Sequence, residues 1–208
     1  MAINASFLKL KEEKKELIIH AAMNEFIRNG FENASTNEIV KNANISKGSL
    51  FNYFKSKKNL YIYLFDYGIE VIETFYQMID LQETDVFKRI ENIGVQKMYI
   101  QKKYPLVFDF LASTNKEDSP EVKDFIKDKR ESVYKRGLEI MYQNIDYSKF
   151  RDDIDIEKAM EILNWTMFGF SDKAIEQIDT FADSEKLGER FIQEWKQYAK
   201  ILKYSFYK

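Results

Sequence analysis

The stretch Ser35–Lys58 contains two short helical patterns separated by a tight turn, and it constrains the fold more than any other part of the chain. Ser35 and Glu38 have the spacing of a capping box, in which the Ser side chain accepts a first-turn N–H and the Glu reaches back. Asn44 tolerates the left-handed backbone conformation that the turn needs. Because helices this short are not stable alone, each must pack through its apolar side.

The second pattern begins after Ser46, a candidate helix N-cap, and places Leu50 and Phe54 on one apolar side. The other side carries hydrogen-bonding groups, namely Lys47, Ser49, Asn52 and Tyr53. Ser56 is placed to cap a long helix that follows at once. Two short helices around a tight turn form a helix-turn-helix, whose second helix enters the major groove of DNA.

The string ISKGSLFNYFKSK over Ile45–Lys57 resembles the DNA-binding signature of TetR (tetracycline-repressor-like) regulators, usually V-S-K-G-T-L-Y-x-Y/H-F-x-S/N-K. The resemblance spans Lys14–Phe65 and shows two departures. Asn44 replaces the usual turn Gly, and Phe51 replaces a common Tyr and so removes a hydroxyl group. The resemblance implies a DNA-binding head, followed by a helical domain that binds a small ligand and dimerises through its last two helices.

The distribution of charge also separates an N-terminal head from the rest of the chain. Residues 1–60 hold nine Lys and one Arg against six Glu, a balance of +4, whereas the remainder holds 22 basic and 28 acidic residues, a balance of −6. A basic head on an acidic body is typical of a DNA-binding protein with a separate second domain. We therefore predict a DNA-binding domain over residues 1–60 and a ligand-binding and dimerisation domain over residues 61–208.

Apolar residues recur at helical spacing along the chain, and no alternating strand pattern is found. We predict an all-α fold of about nine helices, including a first helix over 7–29, a long fourth helix over 57–79 and two final helices over 156–180 and 184–206. The chain has no Cys and no long apolar run. We therefore expect neither a signal peptide nor a membrane span, and a cytoplasmic location.

The polar residues of the head are ranked by their chemistry as DNA contacts. Lys47 is the first candidate for a base edge because Lys reaches guanine O6 and N7, and Gly48 permits close backbone approach. Ser49 and Asn52 are candidates for bases or phosphates. Phosphate contacts are predicted for Thr36, Tyr53, Lys55 and Lys57. Phe51 has two equal interpretations, contact with a thymine methyl group or packing inside the head.

Aromatic side chains spread over the body allow either a packed core or a cavity for an apolar or aromatic ligand, which the resemblance implies. The pocket candidates are Phe75, Met98, Tyr99, Phe108, Tyr134, Trp165 and Phe168. The eighth predicted helix is apolar on two sides, so one side faces its own domain and the other could face a partner subunit. The dimer candidates are Met167, Gly169, Phe170, Phe191, Trp195, Tyr198 and Leu202.

One His and no Cys leave few groups for catalysis, so we predict no enzyme activity, no metal and no cofactor. The predicted function is sequence-specific transcriptional regulation. A homodimer would bind a palindromic operator on double-stranded DNA and would be released by a small-molecule effector. A constitutive DNA-binding protein with a filled core and a helical-bundle enzyme are the alternatives.

Overall fold

The computed structural model describes residues 3–177 and 184–208, and α-helices account for nearly all of their regular structure. The helices are α1 (Ala5–Leu8), α2 (Glu12–Asn33), α3 (Thr36–Asn42), α4 (Lys47–Phe54), α5 (Lys57–Tyr76), α6 (Val86–Lys103), α7 (Pro105–Ser113), α8 (Lys123–Tyr142), α9 (Ile156–Ile175) and α10 (Ser184–Phe206). The described ranges contain no strand and a single isolated β-bridge, so the all-α prediction is confirmed. None of the described helices is long and apolar enough to cross a membrane.

Several helix ends differ from the sequence prediction. The predicted first helix over 7–29 is two helices, because the Asn4 side chain caps a short α1 and the chain begins α2 only at Glu12. Gly30 has φ 66°, so the regular part of α2 stops there and a last turn follows a kink. The long helix α5 ends at Tyr76 rather than at residue 79. The predicted end of the eighth helix at residue 180 lies outside the described residues.

The local signals of the turn are confirmed. Asn44 adopts φ 49°, in the left-handed region, as the turn requires. The Ser46 hydroxyl accepts the Ser49 N–H at 3.0 Å, and the Ser56 hydroxyl accepts the Asn59 N–H at 3.1 Å. Leu50 and Phe54 are both buried, as their spacing predicts.

The predicted capping box at Ser35 forms only in part. The Ser35 hydroxyl accepts the Glu38 N–H at 3.4 Å, but the Ser35 N–H donates to Glu25 of α2 at 2.8 Å and not to Glu38. The carboxylate of Glu25 is buried beside this backbone donor. Glu38 remains at the surface, 3.7 Å from Lys41 of the next turn. A partner ten residues earlier in the chain therefore replaces the local one.

The chain forms two compact units, the first of which comprises residues 1–73 and 106–134. Its core includes Tyr61, whose ring lies 4.9 Å from Phe26 and 5.4 Å from Phe110, centroid to centroid. Gly68 allows α5 and α7 to approach closely, since a Cβ at this position would lie 2.9 Å from the Leu111 side chain. The compact unit therefore extends beyond residue 60. The assignment of DNA binding to residues 1–60 stays a prediction.

The turn after α7 is tied to the end of α2 by the carboxylate of Glu117. Its Oε2 accepts the backbone N–H of Phe31 at 2.8 Å, and its Oε1 accepts the N–H of Ser119 at 3.0 Å. The Ser119 hydroxyl also hydrogen-bonds Glu32. Because Phe31 follows the kink at Gly30, Glu117 satisfies a backbone donor at an interrupted helix. These contacts join the end of α2 to the segment 106–134 within the first compact unit.

The second unit comprises residues 74–105 and 135–208. Its apolar core joins α6, α9 and α10 and contains Val86, Phe87, Ile90, Ile145, Phe150, Ala159, Leu163, Trp195 and Phe206. Arg89 is fully buried and donates to backbone carbonyls, including those of Leu81 at 3.1 Å and Met141 at 3.2 Å. This guanidinium ties the loop before α6 and the last turn of α8 to α6.

Asp85 joins the start of α6 to the end of α10. Its Oδ1 accepts the N–H groups of Phe87 and Lys88, and its Oδ2 accepts the ammonium of Lys203 at 3.1 Å. Burial raises the pKa of this carboxyl, but the hydrogen bonds from Lys203 and Lys88 and the charges of Lys203 and Lys149 together hold the pKa below 3.8. Asp85 therefore stays ionised inside the second unit.

Candidate nucleic-acid interface

Helix α4 presents the residues that the sequence predicts as base contacts. Leu50 and Phe54 anchor its inner side in the head, whereas Lys47, Gly48 and Asn52 are exposed. Lys47 is the first residue of the helix, the exposed Lys55 follows its last residue, and α4 itself contains no acidic residue. The outer side of α4 is therefore polar and basic, as a helix that contacts DNA must be.

Neither the packing nor the backbone conformation of the fold requires glycine at position 48. A Cβ built at this position would lie 3.8 Å from the Ser46 hydroxyl, an ordinary van der Waals distance. Its φ is not in the left-handed region, so the backbone does not require glycine either. Since glycine weakens a helix relative to alanine, its presence on an exposed surface favours close approach by an outside partner.

Three further predicted contacts lie in α4, directly after it and at the start of α3. Ser49 is half-buried, and its hydroxyl shares a hydrogen bond of 2.9 Å with that of Ser46. Thr36 is the first residue of α3 and is half-buried. Lys55 follows α4 directly, with φ 67° and an exposed side chain. Phe51 is half-buried, which leaves both of its interpretations open.

The ammonium of Lys57 is engaged inside the head. It donates to the carbonyls of Glu32 at 2.8 Å and Ala34 at 3.3 Å, and it lies 4.9 Å from the centre of the Phe31 ring. A cation at carbonyls that end a helix is favourable because the helix dipole is negative there. Lys57 thus holds the end of α2 in place, a role that its sequence position did not indicate.

Lys14 has an equivalent role at the end of α3, which sequence reasoning missed. Its ammonium donates to the carbonyls of Ala43 at 3.0 Å and Asn44 at 2.8 Å, and so it stabilises the tight turn. These partners lie about thirty residues from Lys14 in sequence. No local pattern could have indicated the contact.

The N-terminal residues also pack on α4 and were missed. Asn4 and Ser6 both hydrogen-bond the side chain of Asn52, and the buried ring of Phe7 lies 5.7 Å from the ring of Tyr53. Tyr63 of α5 lies 5.4 Å from the same Phe7 ring. Burial, and then the charge of neighbouring acidic groups, raises the pKa of Tyr63 to about 12, so its phenol stays neutral.

The pocket candidates of the sequence do not share one environment. Phe108 and Tyr134 belong to the first unit, and the other five belong to the second. Tyr99 and Trp165 are 58% and 69% exposed, whereas Phe75 is buried. Met98 packs against α10, since a Cβ on Gly188 would lie 2.7 Å from its Cγ. The interpretation of these residues as a pocket or as a packed core stays a prediction.

One surface depression of about 540 Å³ lies on α10 and is lined by Glu189, Arg190, Ile192 and Gln193. None of these four lining residues is a pocket candidate. Over the ranges 3–177 and 184–208, no group of three or more His, Cys, Asp or Glu side chains is arranged to hold a metal ion.

The two sides of α9 have different surroundings. Leu163 is buried, Met167 packs on the core of the second unit, and the ring of Phe170 lies 5.9 Å from that of Trp195 in α10. Trp165 and the exposed Gly169 lie on the other side of the helix. Of the dimer candidates, Phe170, Phe191, Trp195 and Tyr198 form one aromatic cluster within the second unit, and Met167 and Leu202 pack on the core there. The outward side of α9 is therefore the one that carries Trp165.

Comparison with known proteins identifies the same region. Residues 18–64 match the sequence profile of "Bacterial regulatory proteins, tetR family". The regulator QacR of Staphylococcus aureus is 44% identical over 48 residues, which cover 23% of this chain and 26% of QacR. The fatty acid metabolism regulator protein of Bacillus subtilis is 28% identical over 100 residues, which cover 48% of each chain. The chain thus matches half or less of the length of these relatives.

A crystal structure of a TetR family regulator from Chloroflexus aurantiacus matches the whole fold. It has a TM-score of 0.70 and 25% sequence identity, and the match covers 100% of both chains. These relatives are regulators and not enzymes, which confirms the prediction of a regulator over that of a helical-bundle enzyme.

Proposed function

The chain is a member of the TetR family of bacterial transcriptional regulators, and we propose that it acts as a repressor bound to a palindromic operator. The observation that carries this proposal is the outer side of α4, where an exposed Lys47 stands beside a glycine that the fold itself does not require. A location in the cytoplasm, where it would meet bacterial DNA, is part of the proposal.

We assign the DNA contacts by the geometry of the head. Lys47, Gly48, Ser49 and Asn52 are proposed to approach base edges in the major groove. Thr36, Tyr53 and Lys55 are proposed to contact phosphates, which fix the register of the head on DNA. The Lys57 ammonium is bonded to two carbonyls, so we now propose that it holds α2 in place and has at most a secondary contact with phosphate.

Dimerisation is proposed through the last two helices. Trp165 of α9 and Ile201 of α10 are 69% and 65% exposed, and large apolar side chains at this exposure favour a protein partner. This moves Trp165 from the predicted pocket to the proposed interface, while Gly169, with no atom within 4 Å of a built Cβ, stays in it. A two-fold dimer would present two heads about one DNA turn, roughly 34–36 Å, apart.

The effector is proposed to be a small apolar or aromatic molecule that binds the C-terminal domain and moves α5, so that the two heads no longer fit the operator. The name of the Bacillus subtilis relative favours fatty acids as the first compounds to test. For such an effector, operator and ligand must each weaken the binding of the other by the same factor. If no compound in a panel of apolar ligands changes operator affinity, the constitutive alternative is favoured.

Selection of DNA by the full chain from a random pool tests the proposal. We expect a palindrome whose half-sites lie about one helical turn apart. The variant Lys47→Ala should relax preference for guanine at one position of each half-site, by about 1–3 kcal/mol. Lys88→Ala, which removes an exposed charge from α6, serves as the matched control and should select the same sequence. Recovery of no enriched sequence by the wild type would refute the proposed function.

A further inference from the structure

The N-terminal residues Asn4 and Ser6 hold the side chain of Asn52, the exposed amide of α4. Asn4 Nδ2 donates to Asn52 Oδ1 at 3.2 Å, and Asn52 Nδ2 donates to Ser6 Oγ at 3.1 Å. These contacts join positions 48 and 46 residues apart, so local sequence cannot indicate them. All three residues belong to the first compact unit.

The short helix α1 that carries these residues is fixed firmly to the head. The backbone N–H of Asn4 donates to the carbonyl of Tyr53 at 3.2 Å. Phe7 is 0% exposed, and its ring lies 4.8 Å from Phe54 and 5.4 Å from Tyr63. A buried aromatic anchor on one side and a backbone hydrogen bond on the other leave α1 little freedom to shift along α4. The hydrogen bonds to Asn52 therefore start from a rigid base.

A backbone donor sets the direction of the whole network. The N–H of Ser6 donates to Asn4 Oδ1 at 3.0 Å, so the amide nitrogen of Asn4 must lie on the other side, towards Asn52. A donor in that position requires the oxygen of Asn52 as its acceptor. The nitrogen of Asn52 then faces the Ser6 hydroxyl. Of its two possible orientations, the Asn52 amide is held in one.

An Asn side chain has two N–H groups and two acceptor lone pairs. Asn4 and Ser6 use one of each, which leaves one N–H and one lone pair on Asn52 for a ligand. We propose that Asn4 and Ser6 are positioning residues that orient Asn52 for the major-groove edge of an adenine, where N6 donates and N7 accepts. Guanine presents two acceptors on that edge, so it would leave the remaining lone pair of Asn52 without a donor.

This inference rests on the proposed function, DNA binding through α4, and it adds a base preference and two residues outside the helix-turn-helix. It is tested in the full chain with variants that separate the network from the folding of α1. Asn4→Ser keeps a good N-cap for α1 but is too short to reach Asn52. Ser6→Ala removes the acceptor, and Ser6→Thr restores a hydroxyl. Asn24→Ala is the matched control, because this exposed amide bonds only its own helix at the His20 carbonyl.

The readout is the affinity for the selected operator and for duplexes in which each adenine is replaced by guanine in turn. We expect a preference for adenine of about tenfold at one position per half-site, which Asn52→Ala abolishes. Asn4→Ser and Ser6→Ala should each lower that preference about threefold at the same position. Ser6→Thr and Asn24→Ala should keep it. The salt dependence of affinity should stay unchanged in all five variants, because no phosphate contact is lost.

Three outcomes overturn the inference, and they distinguish its failure from that of the proposed function. If the wild type selects an operator but Asn4→Ser and Ser6→Ala keep its full preference for adenine, the positioning role is wrong and DNA binding stands. The same holds if Asn52→Ala leaves the preference intact. If the wild type selects no sequence, the proposed function itself fails, and the inference fails with it.

Discussion

Replacement of Gly48 by alanine should separate the stability of the fold from its function. A methyl group at this position meets only the Ser46 hydroxyl, at 3.8 Å, so the folded chain accepts it without strain. Alanine is favoured over glycine inside a helix by roughly 0.5–1 kcal/mol. Because Gly48 is only the second residue of α4, we take the lower value. At roughly 2–4 °C per kcal/mol for a chain of this size, Tm should rise by about 1–2 °C.

Operator binding should change in the opposite direction. If the backbone at Gly48 lies against DNA, an added methyl group overpacks that contact at a cost of about 1–3 kcal/mol. Each 1.4 kcal/mol is tenfold in affinity, so operator affinity should fall by about fivefold to 140-fold. Thermal unfolding and a titration of labelled operator, both on Gly48→Ala, measure the two effects. A variant that is more stable and binds DNA more weakly is the expected result.

Gly94→Ala is the matched control. Gly94 lies inside α6, and a Cβ built there has no neighbour within 4 Å, so the same substitution should stabilise the chain without change in operator affinity. Wild-type affinity in Gly48→Ala would refute the close approach to DNA at this position. A lower Tm would instead show that α4 needs glycine for internal reasons.

Four further variants test the remaining contacts. Gly68→Ala should lower stability by about 1–3 kcal/mol in thermal unfolding, since its Cβ would lie 2.9 Å from the Leu111 side chain. Glu117→Gln should cost about 1.5–3 kcal/mol in the same assay, because one carboxylate oxygen that accepts a backbone N–H is replaced by a donor. Trp165→Ser should shift the chain towards monomer in sedimentation, whereas an unchanged dimer would place the interface elsewhere. Asp85→Asn should lower stability at neutral pH by about 1 kcal/mol or more, and it should reduce the loss of stability on acidification. Because the pKa of the Asp85 carboxyl is held below 3.8 in the folded chain despite its burial, its contribution is present above pH 3.8 and is lost as pH falls through the folded pKa.

A control accompanies the acid titration. Asp152 pairs with Lys208 at 2.8 Å but is 90% exposed, so Asp152→Asn should leave the pH dependence of unfolding unchanged. If Asp85→Asn retains the full acid sensitivity of the wild type, the ionised Asp85 is not its source.

The local devices of the head could be predicted because their donors and acceptors lie within a few residues of each other. The caps at Ser46 and Ser56, the left-handed Asn44 and the buried pair of Leu50 and Phe54 all follow from spacing along the chain. Helical periodicity likewise determined the all-α class, because apolar residues at this spacing make one face of a helix. The string around Lys47 also identified the family that the comparisons confirm.

Contacts between distant positions could not be predicted in this way. Glu25, not Glu38, accepts the Ser35 N–H. Lys57 and Lys14 donate to carbonyls at the ends of α2 and α3, and Asn4 donates to Asn52. Each of these contacts spans ten or more residues of sequence. The sequence showed that α9 is apolar on two sides. Apolar residues recur at helical spacing on both sides, so the spacing does not tell which side faces the core. Only the packing of Leu163 and Phe170 against α10 distinguishes the inner side from the side of Trp165. Periodicity and caps act within one helix, whereas the choice of partner depends on which helices meet, and that is decided by the tertiary structure.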